Sequence, residues 1–347
     1  MTRRNQKKKN KNKAKPAKAS SAALSAPPSA SPSEAPRTDA EHSAFEKREI
    51  PGRGIGMLAA RDLKAGDLVL KERPILTLED DNTSTTWAKL ETAYNGLSDD
   101  DRKLVDTLCV ADIHADLPKY QAIFKTNAMQ LGAGRNVGGL FIDGSRFNHA
   151  CSPNCSRAWD SELGVEWFIA MEDVKAGTEL TISYGEIRTG MGLRQLALQQ
   201  AFDFSCRCRS CCRSLVGSIE SDRRRTYIKQ LVDSTTRLQM ANPLRLIRNA
   251  NIALNVMRQE RLYQGRADLA FECFSTCCWY GDFDNAQRWI DKTLELDRVE
   301  SGIWSTKYQK VLSYTENPRI HPGWNLVATL MGWAREFSRV PSEVESC

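Results

Sequence analysis

Within seven residues, the stretch FDFSCRCRSCCRS places Cys206, Cys208, Cys211 and Cys212, and its C-x-C-x-x-C spacing constrains the chain more than any other feature. A tetrahedral zinc site needs four ligands. Cys211 and Cys212 are adjacent, so they point in different directions and only one is expected to reach a given ion. Such a site is one ligand short. The other cysteine-bearing stretch of this region is SRFNHACSPNCSRAW, residues 145–159, with Cys151 and Cys155. A fourth ligand from there would close the site and tie residue 151 to residue 206 in space. The alternative is a set of buried free thiols. A thiol nucleophile is the poorer reading, because His149 lies only two residues from Cys151 and a zinc-bound thiolate is already consumed as a ligand.

The chain has eleven cysteines in 347 residues, with 41% apolar and 27% charged residues, which is ordinary globular composition with room for two domains. It has no run of about 18 apolar residues and no apolar segment behind its amino-terminal charges, so neither a membrane span nor a secretory signal is expected. Clustered cysteines in a reduced compartment favour metal binding over disulfides. Cys109, Cys273, Cys277, Cys278 and Cys347 are expected to pack as small apolar groups.

Residues 1–15 carry eight Lys or Arg and no acid, against a net charge of +6 for the whole chain, so the remainder is slightly negative at −2. Such a tail suits a nuclear-import signal, an electrostatic contact with nucleic acid, or a bland disordered extension. An Ala/Ser/Pro-rich linker follows, and residues 1–45 are read together as a disordered tail.

Two segments beyond it resemble each other. DLKAGDLVL (62–70) and DVKAGTELT (173–181) both read as strand, glycine turn, strand. GIGMLA (54–59) satisfies a dinucleotide fingerprint only formally, since a turn and another strand follow it where a helix is required. Apolar spacings of three and four over residues 86–131, with LSDDDRK as a helix start, predict a helical insertion between the β-rich pieces. Helices dominate after residue 220. Ala286, Trp289, Ile290, Thr293 and Leu294 share one helical face that resembles the second helix of a tetratricopeptide repeat. The fold class expected is α+β.

Four stretches, in this order and spacing, resemble the SET-domain protein lysine methyltransferases: GRGIG (52–56), RFNHACSPN (146–154), ELTISYGE (179–186) and CRCRSC (206–211), the last matching the post-SET element. The layout is nearest to the SET and MYND subfamily and its fungal relatives, but residues 80–125 hold only Cys109 and His114, too few ligands for a MYND finger. Ala150 stands where the family usually has Ser. The resemblance implies a β-rich SET domain over 46–200 with a helical insertion at about 80–130, a zinc-binding post-SET element at 201–214, and a helical, tetratricopeptide-like C-terminal domain over 215–347.

It further implies S-adenosyl-L-methionine as methyl donor, a structural zinc, and a protein substrate bearing the target lysine, histones among the candidates. Tyr184 takes the catalytic role at the meeting of donor and acceptor. Arg53, Gly54, Ile55, Asn127, Asn148, His149 and Phe204 become donor contacts, alongside Tyr184. Phe202 and Ile182 line the lysine channel, and the small Ile182 leaves room for more than one methyl. Cys151, Cys206, Cys208 and Cys211 become the zinc ligands, with Cys155 spare. Methyl transfer to an amine is an in-line displacement that rests on alignment and on a neutral, desolvated amine. A monomer in the nucleus, the cytoplasm or both is expected, and a non-catalytic SET-like binding module is the alternative function.

Overall fold

The computed structural model describes residues 43–79, 85–132, 134 and 136–331. The basic tail, most of the linker, the start of the proposed insertion and Cys347 lie outside the described residues. Strands β1 (Phe45–Ile50), β2 (Gly54–Ala59), β3 (Leu68–Glu72) and β4 (Leu76–Glu79) come first. Helices α1 (Thr86–Asn95), α2 (Asp99–Val105) and α3 (Lys119–Asn127) follow. Six strands come next: β5 (Met129–Gln130), β6 (Val137–Leu140), β7 (Asn148–His149), β8 (Cys155–Asp160), β9 (Val165–Ala170) and β10 (Glu179–Ile182). The rest is helical: α4 (Met191–Phe202), α5 (Leu215–Asp233), α6 (Thr235–Ala241), α7 (Pro243–Glu260), α8 (Arg266–Trp279), α9 (Phe283–Glu300), α10 (Thr306–Glu316) and α11 (Leu326–Met331).

The strands form three small sheets, β1-β2-β10-β7, β3-β9-β8 and β4-β6-β5. Their neighbours run antiparallel except for β7 beside β10, which are parallel and pair Asn148 with Thr181 and His149 with Ile182. That parallel pairing brings the stretch 145–154 against the stretch 179–184.

The two KAG segments do more than repeat: they pair with each other. Leu63 and Val174 exchange backbone hydrogen bonds of 2.8 and 2.9 Å. The Asp62 carboxylate accepts from Ala176 N, and the Asp173 carboxylate accepts from Ala65 N, both at 3.0 Å. Gly66 (φ +94°) and Gly177 (φ +78°) occupy equivalent left-handed positions that favour glycine. The two turns thus cap each other about a local two-fold, which staples β2–β3 to β9–β10.

β9 is buried along its whole length because both its faces are covered. Phe168 and Ala170 point into a core with Met57, Phe147, Leu180 and Ile182, whereas Val165, Trp167 and Ile169 point to the other side. That second side meets the C-terminal helices, where Trp304 stacks on Trp167 at 6.2 Å and Ser156 Oγ donates to Val299 O. In the insertion, Ser98 accepts from Asp101 N to cap α2, whose first turn is acidic as a helix start should be. Leu90, Val105, Ile123 and Phe124 cover β4 and β6. The α9 face is buried at Ala286, Trp289, Ile290 and Thr293 and packs in the largest helical core. Asp282 caps that helix just after a turn in which Gly281 is left-handed at φ +71°.

Arg225 of α5 is fully buried and joins the helical region to the β region. Its guanidinium donates to Cys151 O and Ser152 Oγ at 2.9 Å, to Ser210 Oγ at 3.3 Å and to Ile187 O. Glu260 at the end of α7 faces it and also accepts from Ser221 Oγ and Arg224 Nε, both at 2.6 Å. Arg225→Met should strand these acceptors and lower stability by about 3 kcal/mol, read as a lower urea midpoint. Arg225→Lys should recover little, because one ammonium cannot span a fan of four acceptors. A midpoint unchanged in Arg225→Met would contradict the clamp.

Candidate active site

A cavity of about 1120 Å³ opens where the β1–β2 turn, the end of α3, β7, the end of β10 and the segment after α4 converge. Arg53, Gly54, Ile55, Asn127, Asn148, His149, Ile182, Tyr184, Phe202 and Phe204 all line it. The wall also includes Cys109, Arg146, Arg157, Arg207 and Gln264, none of which the sequence singled out for this place. Cys109 is exposed at this wall and so departs from the small-apolar packing expected of it, whereas Cys273, Cys277 and Cys278 are buried among the helices. Its neighbours Leu108 and Val110 pack on the core of the insertion, while Cys109 between them is exposed.

The glycines of the turn do different jobs. Gly54 adopts φ +69°, a left-handed conformation that favours glycine, and a Cβ there would meet no protein atom within 4 Å. Close approach is required at Gly56, where a Cβ would fall 2.8 Å from Asn148 Nδ2 and 2.3 Å from Ile50 Cδ1. Arg53 extends from the turn and donates to His149 O at 2.9 Å, with its other terminal nitrogen 2.5 Å from Glu179 Oε2. Asn148 Nδ2 donates to Glu179 Oε1 at 2.9 Å. Asn127 Nδ2 donates to the carbonyls of Cys109 and Ile123, each at 2.7 Å, which leaves its amide oxygen as the free end of that side chain.

His149 is 4% exposed, and both its ring nitrogens face protein groups. Nδ1 accepts from Tyr184 N at 3.1 Å, so the proton resides on Nε2, which sits 3.3 Å from Cys151 Sγ. Burial pushes the imidazole pKa down to about 4, so the ring is neutral at neutral pH. The ring thus forms a strut between the cysteines and Tyr184. His149 lines the cavity.

Tyr184 packs among rings, with Phe202 at 5.0 Å, His149 at 5.3 Å and Phe204 edge-on at 6.4 Å between centroids. Its hydroxyl donates to Phe147 O at 2.7 Å. Burial raises its pKa above the usual tyrosine value, so it stays protonated and offers oxygen lone pairs, not a base. Ile182 is buried at the end of β10 and its carbonyl accepts from Ala150 N at 3.0 Å.

Beside this wall, the sulfurs of Cys151, Cys206, Cys208 and Cys211 lie within 4.8 Å of one another, and Cys151 Sγ is 3.6 Å from Cys211 Sγ. A tetrahedron of sulfurs about 2.3 Å from a zinc ion has edges of about 3.8 Å, so the set has the size and softness zinc requires. With a zinc ion bound, the four thiolates would leave a net double negative charge. Arg194, 3% exposed, lies against Cys151 and Cys211, where it balances part of that charge. Cys212 is exposed and turned away, and Cys155 is buried in the strand core with its thiol pKa raised by burial.

Residues 54–185 match the SET domain family. The chain thus carries a SET domain across this segment, which runs from β2 through Tyr184. Along most of its length it is similar to the histone-lysine N-methyltransferase set5 of Schizosaccharomyces pombe, 28% identical over 291 residues that cover 81% of this chain and 86% of that protein. A putative SET domain-containing protein of Acanthamoeba polyphaga mimivirus is 26% identical over 197 residues, 47% of this chain and 75% of that protein. A SET domain and MYND-type zinc finger protein of S. pombe shares 36% identity over 66 residues, 19% of this chain and 13% of its own. No helix among the described residues is long and apolar enough to cross a membrane.

Proposed function

We propose that the protein is a lysine methyltransferase that uses S-adenosylmethionine to methylate a lysine side chain of a protein substrate. The observation that carries this reading is the Tyr184 hydroxyl, committed as a donor to Phe147 O at the cavity wall, with the Arg53–Asn148 group on the same cavity. The donor, when bound, supplies an electrophilic methyl on a sulfonium. Everything else falls to this chain.

Arg53, Gly54, Ile55, Asn127, Asn148 and His149 would hold the donor, and Phe204 would offer a ring face to its base. Tyr184 would orient the incoming amine through the lone pairs left free by its bond to Phe147 O. Phe202 and Ile182 would form an apolar channel that strips water and so favours the neutral, nucleophilic amine. Cation–π contact with Phe202 would tolerate the methylated ammonium. A zinc ion held by Cys151, Cys206, Cys208 and Cys211 would fix the segment after α4, and with it Phe204 and Cys206, at the cavity wall.

The name of the set5 relative makes a histone a candidate substrate. The helical region after residue 215 is read as tetratricopeptide-like, and the compartment as nucleus, cytoplasm or both. A non-catalytic module is the less favoured reading, because Tyr184, Asn148 and His149 are kept together at one cavity. Incubation with methyl-labelled S-adenosylmethionine and a cell extract tests the proposal: label should enter protein, and its absence would overturn the enzymatic reading.

A further inference from the structure

Glu179 is absent from the cavity wall, yet it holds two side chains that belong to it. One carboxylate oxygen is 2.5 Å from Arg53 Nη1 and the other accepts from Asn148 Nδ2 at 2.9 Å. Its own main chain is fixed: Glu179 O accepts from Asn154 Nδ2 at 2.9 Å, and Asn154 Oδ1 accepts from Thr181 N at 2.8 Å. The carboxylate therefore projects from a locked strand end and bridges the β1–β2 turn to β7.

Two consequences follow for a ligand. Arg53 is not a lone cation at the cavity, since its charge is already matched, with the two side chains 37% and 21% exposed. Asn148 cannot turn its amide over, because the oxygen would then face a carboxylate, and its nitrogen is confined against Gly56. Asn148 is left with its amide oxygen as the group a ligand can meet. The ligand end that meets it has to bring a hydrogen-bond donor, which suits the ammonium of an amino-acid moiety.

We propose that Glu179 is a positioning residue for methyl-donor binding, which fixes Arg53 and Asn148 before the donor arrives and sets Asn148 as an acceptor toward the cavity. This rests on the cavity being the S-adenosylmethionine site. Side chains held in their binding geometry lose no further rotamer freedom on association, so removing the bridge should weaken binding more than catalysis.

Calorimetric titration of the full-length protein with S-adenosylhomocysteine tests it. Glu179→Ala should weaken binding about 10-fold and Glu179→Gln about 3-fold, since the amide oxygen keeps one of the two bonds. Asn148→Ala should cost about 10-fold in the wild type but under about 3-fold in the Glu179→Ala background, because an unpositioned Asn148 has little left to lose. At saturating donor, kcat of Glu179→Ala should stay within about 3-fold of wild type while its KM for the donor rises. If Glu179→Ala does not fold, Glu179→Gln carries the same cycle. Equal costs of Asn148→Ala in both backgrounds, or unchanged affinity in Glu179→Ala, would overturn the positioning role alone. A wild type that binds no S-adenosylhomocysteine would overturn the donor site itself, and this proposal with it.

Discussion

Cys208→Ser is expected to strip the protein of metal and lower its thermal midpoint by about 10 °C or more, whereas Cys212→Ser should change neither. The contrast comes from geometry. Cys208 stands within the four-sulfur cluster, and its Sγ accepts from Cys151 N at 3.4 Å, while Cys212 is exposed and turned to Arg207 O. Zinc in a tetrathiolate contributes folding free energy directly, on the order of 10 kcal/mol in small domains, because the unfolded chain offers no preformed site. Metal analysis should find about one equivalent in the wild type and in Cys212→Ser. The loss should spread beyond the cluster. Cys151 lies next to Ala150, whose amide bonds to Ile182 O, and Cys206 lines the cavity, so chelation should also weaken methyl-donor binding. A metal-free wild type with an unchanged midpoint would contradict the zinc site.

Tyr184→Phe should lower kcat by on the order of 100-fold while leaving the affinity for S-adenosylhomocysteine within about 3-fold. Removing the hydroxyl takes away the amine's positioning acceptor and strands Phe147 O, but keeps the ring that packs on Phe202 and His149. The split between kcat and binding separates a catalytic hydroxyl from a merely structural tyrosine. Single-turnover rates together with calorimetry read both quantities. Equal rates in Tyr184→Phe and wild type would assign the hydroxyl no part in the transfer.

Much of the local structure could be read from the chain because it is local in origin. The Ser98 cap with its acidic first turn, the two glycine turns at 66 and 177, and the α9 face are all set by residues within a few positions of each other. Periodicity identifies the buried face of α9, but it does not say which helices cover that face. Nor does it say that the helical region would lean on β9 through Trp304 and contribute Gln264 to the cavity wall. The KAG repeats were visible as similar turns. Their mutual pairing was not, since an Asp that caps its own turn and one that caps a turn over a hundred residues away look the same in sequence.

The candidate site was legible through its chemistry-bearing residues, which the fold gathers at one cavity. The roles within it were less legible. The sequence does not show that the His149 ring is held between Tyr184 N and Cys151 Sγ. The tight fit of Gly56 against Ile50 and Asn148 has no signal in the sequence, because Asn148 comes from over ninety residues away. Nothing local in the sequence marks Glu179, because the partners of its carboxylate, Arg53 and Asn148, come from elsewhere in the chain. Each difference concerns which groups meet across long sequence separations, and such meetings are decided by packing.

The central claim is methyl transfer to lysine, and the most direct measurement follows the label to the residue. Purified protein is incubated with methyl-labelled S-adenosylmethionine and cell extract or histones, and the modified proteins are hydrolysed to amino acids. Label is expected in methylated lysine, strongly reduced with Tyr184→Phe. Label in no protein, or in a residue other than lysine, would contradict it.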